Sequence, residues 1–499
     1  MSILNLEDRR TPAPRAGYCA YPVPRQRDFE APGELNASNR MLKRAATLTV
    51  LLLAVACTGT AGAAERWSMR GAGWGHGIGL SQWGSYGFAK KGAGYRQIVD
   101  HYYRNIRIET RDGGVVRVLL QPNRSTIYIR NATQAGNRKL SEGSLYKATR
   151  SGSQVVLRSA SGRKLATFDG MVRVVGGRHV RPLGRADNGV RSGLYRGAIE
   201  IRTAAGYGLN AINAIAMEDY LRGVVPSESP SSWPSAALQA QAVVARSYAM
   251  ASNVNGKGFN QYADTRSQVY RGYLGEAPST NAAIEATAGE VVTHDGTVAT
   301  TFFFSTSGGY TENIEYAFVG AQPRPWLKGV KDPYDDPSPY HRWKLNFSRY
   351  SLGAKLGSWV KGSFRAIKVL KRGVSPRIVR ARIVGSRGST TVTGPQIRAR
   401  LGLRDTWFHL RRVSTRRSLA EARTLRGARP VVGLHGTIDA PGVKSVRVER
   451  RTSKGWKSKG SFPIRKGAYS AHVGTPGVYR VRAGWAAGPA VRVFPPKVG

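Results

Sequence analysis

Between Ser235 and Ala251 the chain carries one sustained helical period. Ala237, Ala240, Val244 and Tyr248 recur at steps of three and four, which predicts a helix with one buried face. Pro234 stands where the first turn begins, a position at which its missing N–H costs nothing. Much of the remaining chain reads differently. "VVRVLL", "STIYIR", "SQVVLRS" and "MVRVVGG", between residues 113 and 180, are β-branched runs separated by turn residues. From Tyr195 the pattern is strand, turn, strand, then a short helix around Met217 to Gly223. Strand runs with a few such helices predict an α+β fold, and the 59 Gly and 25 Pro among 499 residues supply its turns.

The loop before the long helix holds a lone acid. In "VVPSESPSSWP" the only carboxylate between Asp219 and Asp264 is Glu228, bracketed by Pro226 and Pro230. A carboxylic acid in an apolar, proline-fixed loop loses hydration when it ionises, so its pKa should rise toward the working pH, as a general acid requires. Glycoside hydrolysis usually takes two carboxylates. One suffices when the sugar's own hydroxyl attacks and closes an anhydro ring, with no water consumed. On the residues alone a second reading stays open, that of a helix N-terminal acid held by the macrodipole. Asp219, Glu312 or a more distant Asp is also free to fold beside Glu228.

Residues 71–108, "GAGWGHGIGLSQWGSYGFAKKGAGYRQIVDHYYRNIRI", start Gly-rich and turn helical around Tyr95 to Tyr103. The glycines make neither a G-x-G-x-x-G frame nor a Walker A loop. Trp74, Trp83 and Tyr86 are interleaved with His76, Ser81 and Gln82, a mixture suited to a sugar face. His76 by itself reads as structural; its setting supplies the functional reading. Ser305 and Ser307, in "STSGG", lack the G-x-S-x-G elbow of a serine hydrolase and read as hydrogen bonders in a Gly turn. Glu312 follows as a candidate for a charge role.

Formal charge is +47, which implies a polyanionic environment or partner: nucleic acid, anionic lipid or anionic wall polymer. From Met41, "MLKRAATLTVLLLAVACTGTAGAAERW" has a basic start, an apolar run too short to span a bilayer comfortably, and a small-residue exit, the pattern of a signal peptide over about 41–64. Met41 is then a candidate start. "LAVAC" loosely resembles a lipobox, so membrane attachment is expected only if Cys57 is lipidated. The other cysteine, Cys19, also lies in this leader region, which leaves no thiol beyond it for a disulfide, a metal or a nucleophile. No metal site and no cofactor are expected. An exported chain meets wall polymers before nucleic acid, and no helix-turn-helix, zinc-finger or RNA-recognition signature is present.

The stretch "AIAMEDYLRGVVPSESPSSWPSAALQAQAVVARSYA" resembles the SpoIID/LytB family of bacterial wall proteins. So do "DTRSQVYRG" (264–272), "AIEATAGEVV" (283–292), "FFSTSGGYTEN" (303–313), "PWLKGV" (325–330), "SPYHRW" (338–343) and "GWGHGIGLSQWGSYGFAKKG". The resemblance implies a lytic transglycosylase that cleaves the MurNAc-GlcNAc linkage of peptidoglycan, prefers peptide-stripped strands and leaves 1,6-anhydroMurNAc ends. It points to Glu228 as the catalytic acid and implies roles near the site for Arg246 and Tyr248, with His76, Ser81, Gln82, Ser305, Ser307 and Glu312 as further substrate-binding candidates. LytB-type relatives instead modify a wall amidase, so the alternative is a non-catalytic glycan binder that activates an amidase.

Two departures from the family pattern matter. The GHG signature commonly follows the "LGLRDTWF"-like segment, whereas here it comes first; if that order is permuted, His76, Ser81 and Gln82 should approach Glu228. Some relatives also carry zinc-binding cysteines around the "DT...QVY" block, where this chain has Arg266 and Ser267.

The expected organisation is an extension and signal peptide over 1–64, a GHG segment over 65–112, a β-rich subdomain over 113–185 and a SpoIID-like catalytic domain over 186–410. An Arg-rich linker over 411–430 and an immunoglobulin-like β module over 431–499 complete it.

Overall fold

The structure is a computed structural model that describes residues 64–419 and 432–494. The signal peptide, Cys19, Cys57 and most of the Arg-rich linker lie outside these residues. The chain divides into two compact units, one built on residues 69–410 and the other on 411–494 with 64–68.

The first unit is α+β. Its largest sheet has seven strands, in the order 261–262, 115–124, 209–216, 198–203, 171–175, 134–135, 138–139, antiparallel except where 261–262 runs parallel to 115–124. Strand 209–216, "LNAINAIA", is buried along all but its last residue, as befits a strand covered on both faces. A five-stranded antiparallel sheet (164–169, 154–159, 146–151, 126–130, 181–182) packs into the same core. The expected boundary near residue 185 therefore does not separate two cores. Val118 pairs with Asn213 across it, and Val118, Ile127 and Leu157 share one cluster with Ile199 and Ile215.

Five helices shape the site: α1 (Gln82–Lys90), α2 (Tyr95–Tyr102), α3 (Met217–Glu228), α4 (Ser235–Ala251) and α5 (Pro278–Glu285). Strand 209–216 feeds directly into α3. The short helix expected to end at Gly223 runs on to Glu228 with Pro226 inside it. The missing N–H forfeits only one bond so near the end of the helix. Ser227 Oγ donates to Gly223 O at 2.8 Å, and Ser229 N donates to Val225 O at 2.9 Å.

The one-faced amphipathic pattern expected of α4 is replaced by burial nearly all round. Ala242, Ala245 and Ala249 belong to the cluster under the large sheets, whereas Ala240, Val243, Val244 and Tyr248 belong to a second cluster with Ile78, Val99, Val292 and Phe303. Small side chains let α4 lie between two layers, which a period count along the sequence does not reveal.

The GHG segment docks on the far end of its own unit. Ala72 N donates to Trp407 O at 3.1 Å and Gly75 N to Arg404 O at 3.1 Å, so the first residues of the segment run beside "LRDTW". Leu80–Ser81 then pairs in parallel with Phe303–Phe304.

The second unit is all-β. Arg411–Leu419, expected as the start of a linker, instead continues the strand Phe408–Leu419. It pairs with 432–439, which pairs with 468–473; strand 455–465 bends from 468–473 to 445–452, followed by 477–483 and 491–493, all antiparallel. Val446, Val448, Tyr469, Tyr479 and Val481 fill its core.

Candidate active site

Glu228 is the last residue of α3 and is 8% exposed. Its Oε1 accepts a hydrogen bond from Val269 N at 2.8 Å, while Oε2 is buried with no hydrogen-bond partner among the described residues. Burial pushes the carboxyl up from 4.5 to about 7, and the Val269 N–H, Gln82 and the Arg271 charge act the other way. None of these groups is a second carboxylate. The helix N-terminal reading is corrected by the fold: Glu228 sits at a C-terminus, where the helix dipole favours the uncharged acid.

The Val269 N–H is aimed by a loop tied down on every side. Gln268, fully buried, donates from Nε2 to Ala245 O of α4 at 3.2 Å and to Tyr220 Oη of α3 at 3.4 Å. Tyr270 N donates to Ala263 O at 3.0 Å, and Arg271 N to Gly223 O at 3.2 Å. In the "DT...QVY" block, the Arg266 guanidinium bridges Asp264 (2.8 Å) and Asp187 (2.6 Å) and lies 4.0 Å over the Tyr262 ring. Among the described residues no three metal-ligating side chains stand together.

Gln82 of α1 reaches Glu228 across 146 positions: its Nε2 donates to the Glu228 carbonyl oxygen at 3.0 Å and to Gln241 Oε1 at 3.4 Å. Ser229 Oγ donates to the same Gln241 oxygen at 3.4 Å. Gln241 was missed from sequence; it is one of two amides, with Gln239, inside the apolar run of α4, and it is the buried one. Beside this network Trp83 and Tyr86 of α1 and Trp233 from the loop before α4 form a half-buried aromatic trio, with centroids 5.1 to 5.5 Å apart.

The other sequence candidates are placed as follows. Ser81 caps α1, accepting from Gly84 N at 3.2 Å and from Ser307 N at 3.2 Å. Ser307 Oγ accepts from Gly309 N at 2.9 Å, and Ser305 Oγ lies 3.2 Å from Thr306 Oγ1. Glu312, fully buried, accepts from Asn313 N, Val374 N and Ser375 Oγ; burial raises its pKa. Arg246 is fully buried in α4. Its Nε and Nη2 grip Glu218 at 2.8 and 2.6 Å, and Nη1 donates to Glu290 O, so it ties α3 and the strand 290–294 to α4. Tyr248 packs on Phe302 and Phe303 in the core. Gln82 is thus the candidate that the fold brings into direct contact with Glu228.

His76 lies elsewhere. Its Nε2 donates to Phe303 O at 3.0 Å, its Nδ1 accepts from Ile78 N at 3.0 Å, and Phe302, Phe304 and Phe318 pack against the ring. This pattern fixes the Nε2–H tautomer. Burial, aided by Arg398, lowers its pKa to about 3. We expect NMR to show no titration of this ring between pH 5 and 8. The folded state should lose stability as pH falls below about 6.5, because there the unfolded chain takes up a proton that the folded one refuses.

α1 is seated with no space to spare. A Cβ on Gly87 would come within 1.8 Å of Tyr334 O, and one on Gly84 within 2.0 Å of Tyr102 Oη and 2.3 Å of the buried Asp332 carboxylate. In a helix Gly→Ala normally gains about 1 kcal/mol. Here the overlap with backbone outweighs that gain, and Gly87→Ala is expected to destabilise the fold by roughly 1–3 kcal/mol in chemical denaturation.

A family model described as stage II sporulation protein, SpoIID, matches residues 205–294, the span from strand 209–216 through Glu228, α4 and the Val269 loop. Among curated relatives, "Stage II sporulation protein D" of Bacillus subtilis is 30% identical over 219 residues, 40% of this chain and 62% of that one. The "Amidase enhancer" of the same organism is 36% identical over 135 residues, 27% of this chain and 18% of that one. The part of the chain that carries Glu228 is similar to the SpoIID/LytB family. An uncharacterized protein of Brachyspira hyodysenteriae is 35% identical over 191 residues, 32% of this chain and 51% of that one. The chain spans about three fifths of the length of stage II sporulation protein D, and no solved structure matches it. Within the SpoIID match lie Glu228, Ser229, Gln241, Arg246 and Val269; Gln82 and the aromatic pair of α1 come from outside it.

Proposed function

We propose that this protein is an exported peptidoglycan lytic transglycosylase that cleaves MurNAc-GlcNAc bonds of peptide-stripped strands, with Glu228 as its acid and then its base. One observation carries the reading: a buried carboxyl held near neutral pKa, with one oxygen oriented by Val269 N–H and the other unpartnered among the described residues. Such a group gives its proton to the glycosidic oxygen as the C1–O bond breaks. The carboxylate so formed takes the proton of the MurNAc C6 hydroxyl, whose oxygen bonds to C1 and closes the 1,6-anhydro ring. The acid is regenerated and no water is consumed, which accords with a site where, among the described residues, no second carboxylate bears on Glu228. Trp83, Tyr86 and Trp233 offer sugar-sized faces, while Gln82 and Gln241 brace the end of α3. Export rests on the leader at 41–64, and the strand order of the second unit is compatible with an immunoglobulin-like accessory module.

Incubating the protein with stripped glycan strands and finding anhydro-ended fragments by mass spectrometry supports this reading; their absence at every pH from 5 to 8 defeats it. The similarity to an amidase enhancer favours one alternative, a glycan-binding activator. It predicts faster turnover by an added wall amidase with no anhydro ends.

A further inference from the structure

The second unit gathers five of its arginines on one sheet face. Residues 432–494 contain twelve Lys and Arg but only two acids, Asp439 and Glu449. Alternation along the strands sorts them. Val448 and Val481, paired across the sheet, point into the core, so their neighbours point out. Arg447 stands directly opposite Arg482, Glu449 opposite Arg480, and Arg451 opposite Trp456; on the far side, Val478 stands opposite Arg492.

One outward face therefore presents Arg447, Arg451, Arg480, Arg482 and Arg492 with Trp456 among them. Arg480 and Arg482 share the single acid, Glu449, and Arg480 lies 4.2 Å over the Trp456 ring. Arg447, Arg451 and Arg492 are exposed. Like charges directly opposite one another destabilise a sheet, and among the described residues the Arg447–Arg482 pair is offset by the one shared carboxylate, Glu449.

We propose that this face of the second unit binds an anionic polysaccharide, its guanidinium groups pairing with phosphate or carboxylate charges along the polymer while the Arg480–Trp456 stack meets a sugar ring. Arginine suits this task because its planar fork pairs with either anion through two parallel hydrogen bonds. The inference does not depend on the chemistry at Glu228.

It is tested with the full chain by measuring affinity for a phosphomannan, for polygalacturonate and for single-stranded DNA across a salt series. The expected result is salt-sensitive binding to at least one of the two sugar-containing polymers, tighter than to DNA. It should weaken at least tenfold in Arg447→Gln/Arg451→Gln/Arg492→Gln, but less than threefold in the charge-matched Lys90→Gln/Lys91→Gln/Lys355→Gln. The phosphate and uronate arms identify which anion the face prefers. Equal weakening in the two triple variants, equal or tighter binding to DNA, or no binding to either polysaccharide overturns the proposal. Circular dichroism of the triple variants guards against a folding defect, and if the arginine triple is unfolded, Trp456→Ala is read in its place.

Discussion

Glu228→Gln is expected to lower the yield of anhydro-ended glycan by roughly 10³-fold or more, since it removes both the proton donated to the leaving oxygen and the base that receives one. The same variant should be more stable than the parent protein at pH 8 and no more stable at pH 4. The carboxyl has its folded pKa raised from 4.5 to about 7, so its favourable contribution is complete below 4.5 and disappears as pH climbs through 7. Forcing a charge into that pocket at pH 8 costs on the order of 2–4 kcal/mol, which a neutral amide avoids. Activity and stability should therefore move in opposite directions in one variant, a signature that a merely structural glutamate would not give. In the parent protein the acid-dependent step should slow above pH about 7, where the donor has lost its proton. Thermal melts at the two pH values and product counts from stripped strands measure both effects; intact product formation would remove Glu228 from the mechanism.

Arg377→Ala is expected to cost about 3–5 kcal/mol of folding stability. Arg377 and Asp405 form a pair that is 2% and 0% exposed, 2.8 Å apart. The guanidinium also donates to Tyr310 O at 2.6 Å and Ser307 O at 2.8 Å, and the glycine turn at Gly77 closes over it so tightly that a Cβ would meet its Nε at 2.5 Å. Removing the cation leaves Asp405 buried beside Gly73 without its partner and loosens the segment that carries α1 to Glu228. Arg377→Met with Asp405→Leu should recover much of the loss, because no buried charge is then left behind. Denaturant titration of the single and double variants settles the comparison; if both are equally destabilised, the pair acts through shape and not through charge.

What could be read from the sequence differs by kind of signal. Glu228 stood out because an isolated acid between prolines is visible in one dimension, and the resemblance tied it to "GHG" residues far away. Arg246 and Tyr248 matched the same motif, yet the fold places them in the interior, where Arg246 clamps Glu218. Periodicity says that a side chain points inward; it does not say whether inward means a site or a core. Val269 contributes a backbone N–H, which leaves no trace in residue identity. The helix expected around Met217 to Gly223 runs on to Glu228 with Pro226 inside it, because the last turn of a helix has few bonds to lose. The α+β class followed from the strand runs, whereas the shared core across residue 185 did not, since sheet partners such as Val118 and Asn213 are fixed by tertiary pairing.

The docking of residues 72–75 against 404–407 bears on how the protein is made. A ribosome releases Gln82 first and Glu228 later, and the backbone on which the glycine segment rests emerges last of all. Until then residues 72–75 lack those backbone partners, so a chain cut short before about residue 404 is expected to hold Gln82 against Glu228 less firmly, through the pairing with Phe303–Phe304 and the contact with Gln241 of α4. On the proposed reading, full activity would arrive only with the finished domain, a timing written into chain order alone.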